Sequence, residues 1–274
     1  MSLLIKTPTT SLTIEAEVST LNKNKDIALK LLIQGVAKFD RDYISRSVAP
    51  EYRQHNPVVE DRKVGLLKFI DTLESQGTKI TIKPFRILAE GDLVMIHQQA
   101  QVDSENLVAI DLFKISNNQI TEHWDVLQKE IIDTDKEINM TNGAIKIMDL
   151  NKTEQNKQLV TEFVSDVFIN SNQAHINRYI DSNYIDHSPF VSDGQQGLEG
   201  FLNRLIQNDT SLKYTKTYNT LAEGNFVYTQ SEGVFANIAT ALSDIWRIEG
   251  GKIVEHWSVT QAIPEHYAHD NGMF

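Results

Sequence analysis

Ile110-Asp111-Leu112-Phe113-Lys114-Ile115, then Ser-Asn-Asn-Gln, then Ile120-Thr121-Glu122-His123-Trp124-Asp125-Val126-Leu127-Gln128 has the pattern of a hairpin, two apolar-rich runs joined by a short polar turn. The chain writes it again. Ser243-Asp244-Ile245-Trp246-Arg247-Ile248 is followed by Glu-Gly-Gly-Lys and by Ile253-Val254-Glu255-His256-Trp257-Ser258-Val259-Thr260-Gln261. Asp111 maps to Asp244, Phe113 to Trp246, Glu122-His123-Trp124 to Glu255-His256-Trp257 and Gln128 to Gln261, all at an offset of 133. An acid, an aromatic and a triplet kept at one spacing mark an internal duplication.

Upstream, Tyr52-Arg53-Gln54-His55-Asn56-Pro57 corresponds to Tyr184-Ile185-Asp186-His187-Ser188-Pro189 at an offset of 132, and Gly65 and Phe69 correspond to Gly197 and Phe201. The offset reaches 133 by Glu90-Gly91 and Glu223-Gly224, which predicts a one-residue insertion in a loop, at 74–77 and 207–209. Before these marks, Ile27 to Phe39 and Leu159 to Phe168 carry apolar residues at helical spacing. Shorter helices follow at 43–48 and 175–180, then third helices at 64–73 and 198–205. After them come alternating runs at 80–87, 93–102 and 107–115, repeated at 214–221, 226–234 and 241–248, and then the Glu-His-Trp strand. Each half therefore reads as three helices followed by four strands of a curved antiparallel sheet, an α+β order. The halves are set at 17–148 and 149–274, after a poorly ordered leader at 1–16. Thr141-Asn142-Gly143-Ala144-Ile145 and Asp270-Asn271-Gly272-Met273-Phe274 read as matching tails.

A length of 274 residues suits two domains, each large enough to bury its own core. A net charge of −11 argues against a nucleic-acid or anionic-membrane partner. Zero cysteines exclude disulfides and thiolate metal sites and suit a cytoplasmic location. No apolar run is long enough to span a bilayer, and the first residues lack the basic start of a secretory signal. No metalloprotease helix, phosphate loop, nucleophile elbow or dinucleotide fingerprint is present, so no metal and no cofactor is expected.

Strand alternation puts Asp111 on one face with Ala109, Phe113 and Ile115, and Asp244 with Leu242, Trp246 and Ile248. A carboxylate on an apolar face must be paired, hydrogen-bonded or protonated, and in a cavity it suits general acid/base work. His55 and His187, each two residues before a proline, are either proton-shuttling groups or rings bonded to backbone at a corner. Tyr52 and Tyr184 read as packing residues with wet hydroxyls. Glu122, Trp124 and Val126 share one face of their strand, and His123, Asp125 and Leu127 share the other. Trp124 and Trp257 read first as core or interface aromatics, while His123 and His256 either line a pocket or bridge the halves. Asp125 becomes Ser258, so no role that needs this carboxylate is common to both copies.

The Asp-Leu/Ile-Phe/Trp-Lys/Arg-Ile run, the Glu-His-Trp-x-Val-x-Gln strand and the upstream Tyr-x-x-His-x-Pro together resemble the SnoaL-like polyketide cyclases of the NTF2-like superfamily. The resemblance covers nearly the whole chain, twice. It implies two tandem cone domains, each with helices capping a curved sheet around an apolar pocket, paired within one chain as a pseudo-dimer or paired further as a homodimer. It also implies cofactor-free aldol-type cyclisation or isomerisation of a small apolar carbonyl compound. Catalysis then falls to Asp111 and Asp244 with His55 and His187, and substrate contact to Tyr52, Phe113, His123 and Trp124 and to Tyr184, Trp246, His256 and Trp257. A non-catalytic binding protein for a small hydrophobic ligand is the competing implication, and one working half on a scaffold half is the third.

Overall fold

The computed structural model describes residues 9–132 and 138–274. In the first half, α1 (Thr9–Lys30) runs on through a π turn (Leu31–Val36), α2 (Arg41–Ser47) leads into strand β1 (Val48–Gln54), and α3 (Arg62–Ser75) precedes β2 (Ile80–Glu90), β3 (Leu93–Val102), β4 (Glu105–Ser116) and β5 (Gln119–Lys129). The second half repeats this with α4 (Thr153–Phe163) and its π turn (Val164–Ile169), α5 (Ile176–Tyr179), β6 (Ile180–Asp186), α6 (Gln195–Gln207), β7 (Leu212–Glu223), β8 (Phe226–Phe235), β9 (Ile238–Glu249) and β10 (Lys252–Ala262). Among the described residues no helix is long and apolar enough to cross a membrane, which says nothing of β-barrels.

Helix α1 begins at Thr9, inside the stretch expected to be a leader; residues 1–8 lie outside the described residues. A helix nucleated on the packed segment around Ala28 extends at little cost per residue, so weak periodicity does not end it. Asp40 caps α2 by accepting from the Tyr43 amide at 2.8 Å. Gly65 and Gly197 recur for a steric reason. A Cβ there would sit 2.1 Å from the Glu60 carbonyl oxygen and 1.9 Å from that of Ser192, so the preceding loop can fold tightly onto the helix only over glycine.

The sheets are two, each five-stranded, in the orders β1-β5-β4-β3-β2 and β6-β10-β9-β8-β7. They are mixed rather than antiparallel throughout, because β1 and β6 add at the edge, parallel to β5 and β10. Pro50 is tolerated there since an edge strand leaves one row of amides unpaired. The inserted residue is not in a loop. Ile82 pairs with Ala100 as Tyr214 pairs with Gly233, yet Lys83 pairs with Gln99 as Lys216 pairs with Glu232, so the extra residue is a bulge at Thr215 within edge strand β7.

Each sheet has helices on one face and the other sheet on its opposite face. Ile110, Leu112, Trp124 and Val126 of the first half share one apolar cluster with Ile245, Trp257 and Val259 of the second. The contacts are reciprocal, the mark of a two-fold interface. Gln128 Oε1 accepts from the Thr260 amide at 2.8 Å and Gln261 Oε1 from the Leu127 amide at 3.0 Å. Glu90 accepts from the Ala222 amide and from Lys157, and Glu223 accepts from the Ala89 amide and from Lys25.

The tails cross over. The segment around 139–148 packs on the second half and that around 268–274 on the first. Their equivalent residues are Met140 and Met273, each 2% exposed in the shared core at an offset of 133; the Asn-Gly pairs that look alike in sequence do not superpose. Arg86, 2% exposed, holds the crossing. It donates to the carbonyls of Thr141 (3.1 Å), Asn142 (2.6 Å) and Ala144 (2.8 Å), and its guanidinium lies 3.7 Å over the Trp257 ring. Burial lowers its pKa to about 9, so it stays charged at neutral pH.

Candidate active site

Because Ile110, Leu112, Trp124 and Val126 turn toward the other sheet, strand alternation turns Asp111, Phe113, His123 and Asp125 into the cone beneath the helices. The hairpin register sets Asp111 directly opposite Asp125 and Phe113 opposite His123. His123 bridges strands: its Nε2 meets Asp111 Oδ1 at 3.1 Å and its Nδ1 meets Gln54 Oε1 at 3.0 Å. The Phe113 ring stacks on it at 4.7 Å. Gln54 Nε2 donates to the Tyr52 hydroxyl at 2.9 Å, Gln98 Nε2 to Asp111 Oδ2 at 2.7 Å, and Asn56 Nδ2 to Asp125 Oδ2 at 2.7 Å. Two buried oxygens, Asp125 Oδ1 and Gln98 Oε1, have no protein partner. Tyr52 is 1% exposed, so its hydroxyl is not wet; it faces the cavity with its oxygen already accepting from Gln54.

These groups line a cavity of about 270 Å³ whose other walls are apolar, among them Leu31, Leu32 and Val36 of the π turn, Leu66 and Phe69 of α3, and Ile82 and Ala100 of the sheet. Electrostatics divides the polar groups by role. Burial pushes Asp125 up, aided by the Asp111 charge and opposed by His123 and by the Asn56 amide, to about 6. Burial alone would lower His123, but the Asp111 hydrogen bond and the charges of Asp125 and Asp111 outweigh it and raise its pKa. Burial and the same two carboxylates push Tyr52 well above 10, so it remains a neutral donor. His123 as a cation donates from both ring nitrogens, which fits Gln54 Oε1 as an acceptor. Asp111, His123 and Asp125 each place one ligand atom within 4.8 Å of the others, a grouping that could hold a cation if His123 were neutral and freed one ring nitrogen.

The second half closes the same place. Asp186 stands where Gln54 does, so His256 lies between two carboxylates, 3.1 Å from Asp186 Oδ2 and 3.0 Å from Asp244 Oδ1. Burial would lower His256, but Asp186 foremost and then Asp244 raise it to about 9. The hydroxyl of Tyr184 donates to Asp186 at 2.5 Å and that of Tyr214 to Asp244 at 2.9 Å. Ser258 replaces Asp125, and Phe168, Tyr214 and Trp246 fill the cone, with Trp246 stacked on His256 at 3.9 Å. About 50 Å³ is left, and Asp244, 0% exposed, is not on its wall.

The structure does not bring the other singled-out residues into the cones. His55 lies outside the first cavity, stacked on Trp124 at 4.9 Å, with Nδ1 on the Gly272 carbonyl and Nε2 on Glu122, both at 2.9 Å. His187 is placed likewise, stacked on Trp257 at 4.6 Å and bonded to the Asn139 carbonyl (2.8 Å) and Glu255 (2.9 Å). Trp124 and Trp257 belong to the core between the sheets, on the faces away from the cones, because strand alternation opposes them to His123 and His256. Asp125, Gln98, Gln54 and Asn56 also line the cone and are not marked by the duplication, since none of them is kept in the second copy. The hairpin itself held the signal for Asp125, since pairing across the 116–119 turn sets it opposite Asp111.

No protein-family model and no curated relative matches the chain. Solved structures match it over the length of one half. An LEH-like epoxide hydrolase from M. tuberculosis is 12% identical with a TM-score of 0.36, over 40% of this chain and 85% of its own. TsrD from Streptomyces laurentii is 20% identical with a TM-score of 0.33, over 41% and 89%. A protein from Jannaschia sp. CCS1 described as a SnoaL-like polyketide cyclase is 16% identical with a TM-score of 0.33, over 39% and 86%. No residue role passes at such identities, and the architecture rests on the strand orders and packing above; what the neighbours are is SnoaL-like and other NTF2-like proteins, each spanning about two fifths of a chain built as two tandem α+β domains.

Proposed function

We propose that the first half is a cofactor-free acid/base catalyst for a small apolar carbonyl compound, by aldol-type cyclisation or isomerisation, and that the second half is its scaffold. The observation that carries this is Asp125 Oδ1, an unpartnered buried carboxylate oxygen on the wall of an apolar cavity and close to neutral in its pKa. In the proposed step Asp125 takes a proton from the carbon next to the substrate carbonyl, and the electron pair moves to the carbonyl oxygen. The Tyr52 O–H, its oxygen already engaged by Gln54, donates to that developing oxyanion. Either the enolate carbon then attacks a second carbonyl, whose oxygen takes the π electron pair and then the proton held by Asp125, or Asp125 returns the proton at another carbon. Asp111 holds His123 as a cation beside Asp125, which keeps the base from rising further. A volume of about 270 Å³ equals roughly nine waters of liquid, which limits the occupant to a small molecule.

Deuterium exchange into a panel of small enolisable ketones, followed by NMR, tests the reading. Asp125→Asn should lose about 10²-fold or more, and Asp244→Asn should keep the rate. Ligand binding that survives in Asp125→Asn, with no exchange by the unaltered protein, would make the cone a binding site only.

A further inference from the structure

The acid/base site proposed above, on which this rests, needs its polar groups held in place. Gln54 and Asn56, the partners of His123 and Asp125, lie where β1 leaves the sheet for the loop 55–61. Side chains on a loop are held less closely than those on a strand interior. This loop, however, is strapped from outside by the other half. Asn271 Nδ2 donates to the Gln54 carbonyl at 2.9 Å and to Asp61 Oδ1 at 2.7 Å. His269 Nε2 lies 2.9 Å from the Asn56 carbonyl, and the Ala268 amide donates to the Pro57 carbonyl at 2.8 Å. Met273 anchors the strap in the core between the sheets, and His55 grips the Gly272 carbonyl. The opposite strap ends on a half whose cone is filled, so only one crossing reaches an open site.

We propose that the segment 268–273 of the second half is a positioning element for the first half's site, with Asn271 and His269 setting Asn56 against Asp125. This gives the filled half a task that its own cone does not have. The chain from strap to carboxylate is short: Asn271 and His269 fix the backbone of residues 54 and 56, and the Asn56 amide then donates to the charged form of Asp125. A donor to the charged form lowers a carboxyl's pKa. Loosening the strap therefore raises the Asp125 midpoint.

The test is the Asp125 titration, read by ¹³C NMR on full-length protein labelled at aspartate carboxyl carbons. Asn271→Ala and His269→Ala should each move the midpoint upward by roughly half a unit or more, in the direction that Asn56→Ala moves it. Lys157→Ala, which breaks the Glu90 contact elsewhere in the interface, should leave the midpoint in place while lowering the melting temperature. An unmoved midpoint in both strap variants overturns the proposal, as does an unmoved midpoint in Asn56→Ala. A titration is independent of turnover, so failure here is distinct from failure of the acid/base reading, which falls on ketone exchange by Asp125→Asn.

Discussion

Tyr214 donates to Asp244 Oδ2 at 2.9 Å in the second half, at the place where Gln98 donates to Asp111 Oδ2 in the first. The two donors come from different strands. Ile82 is the first-half residue at Tyr214's position, and the bulge at Thr215 follows Tyr214 immediately. A tyrosine in that position reaches across the cone and satisfies the carboxylate itself. Tyr214→Ile should open a cavity and strip Asp244 of one hydrogen bond, destabilising the fold by about 2–4 kcal/mol in a denaturant titration. The same variant should take up an ordered water on Asp244 Oδ2, visible in a crystal structure, because the space it opens ends on a polar oxygen left without a donor.

Two buried groups set opposite ends of the pH profile. Asp125 has its folded pKa raised from 3.8 to about 6, so the folded state keeps a proton that the unfolded chain releases between those values. Stability from this group is complete below pH 3.8 and is lost as pH rises through 6. His256 is raised from 6.5 to about 9, so its contribution is complete below pH 6.5 and is lost as pH rises through 9. Asp125→Asn should flatten the lower window and stabilise the protein at pH 7, on the order of 2 kcal/mol, while His256→Gln should flatten the upper one. Urea midpoints at pH 4, 6.5 and 9.5 separate the two effects.

Much of this was legible in the chain. The pairing of Asp111 with Asp244 and of Gln128 with Gln261 gave the duplication, and strand alternation put Asp111 on the face that proves to line the cone. Recurrence between the halves does not by itself locate the cone's polar groups. Asp125 and Gln98 line the open cone and have no like residue in the second copy, whose cone is filled, whereas His55 and His187 recur where each half grips a crossing tail. Tyr52, Asp111 and His123 also recur, and they line the cone, so recurrence alone does not separate interface residues from cone residues. β1 and β6 were also hidden, since Pro50 and a run of only seven residues read as a loop until a parallel neighbour is supplied.

Arg86 has no second-half counterpart of its charge; Asn219 and Gln230 take the places of Arg86 and His97 and bond each other at 2.8 Å. Arg86→Met would leave the Thr141 and Ala144 carbonyls without this donor and remove the cation from the Trp257 ring. We expect a loss of about 3 kcal/mol or more at neutral pH. Arg86→Lys should recover little of it, because an ammonium cannot span three carbonyls as a planar fork does. Hydrogen exchange around 141–148 should rise in both variants.

Glu90 and Glu223 make the interface a test of symmetry. Each carboxylate takes one backbone amide and one lysine from the opposite half, with the amide bonds at 2.9 and 2.7 Å and the lysine contacts at 2.8 and 2.6 Å. Glu90→Gln and Glu223→Gln should each cost about 1 kcal/mol, of similar size because the environments are equivalent. The double variant should show near-additive loss if the two contacts act independently. The sheet faces of the two halves already cover each other within one chain, so the unaltered protein should sediment at the mass of a single chain. A mass of two chains would mean that a further surface, outside the shared core of Trp124, Trp257, Met140 and Met273, also pairs.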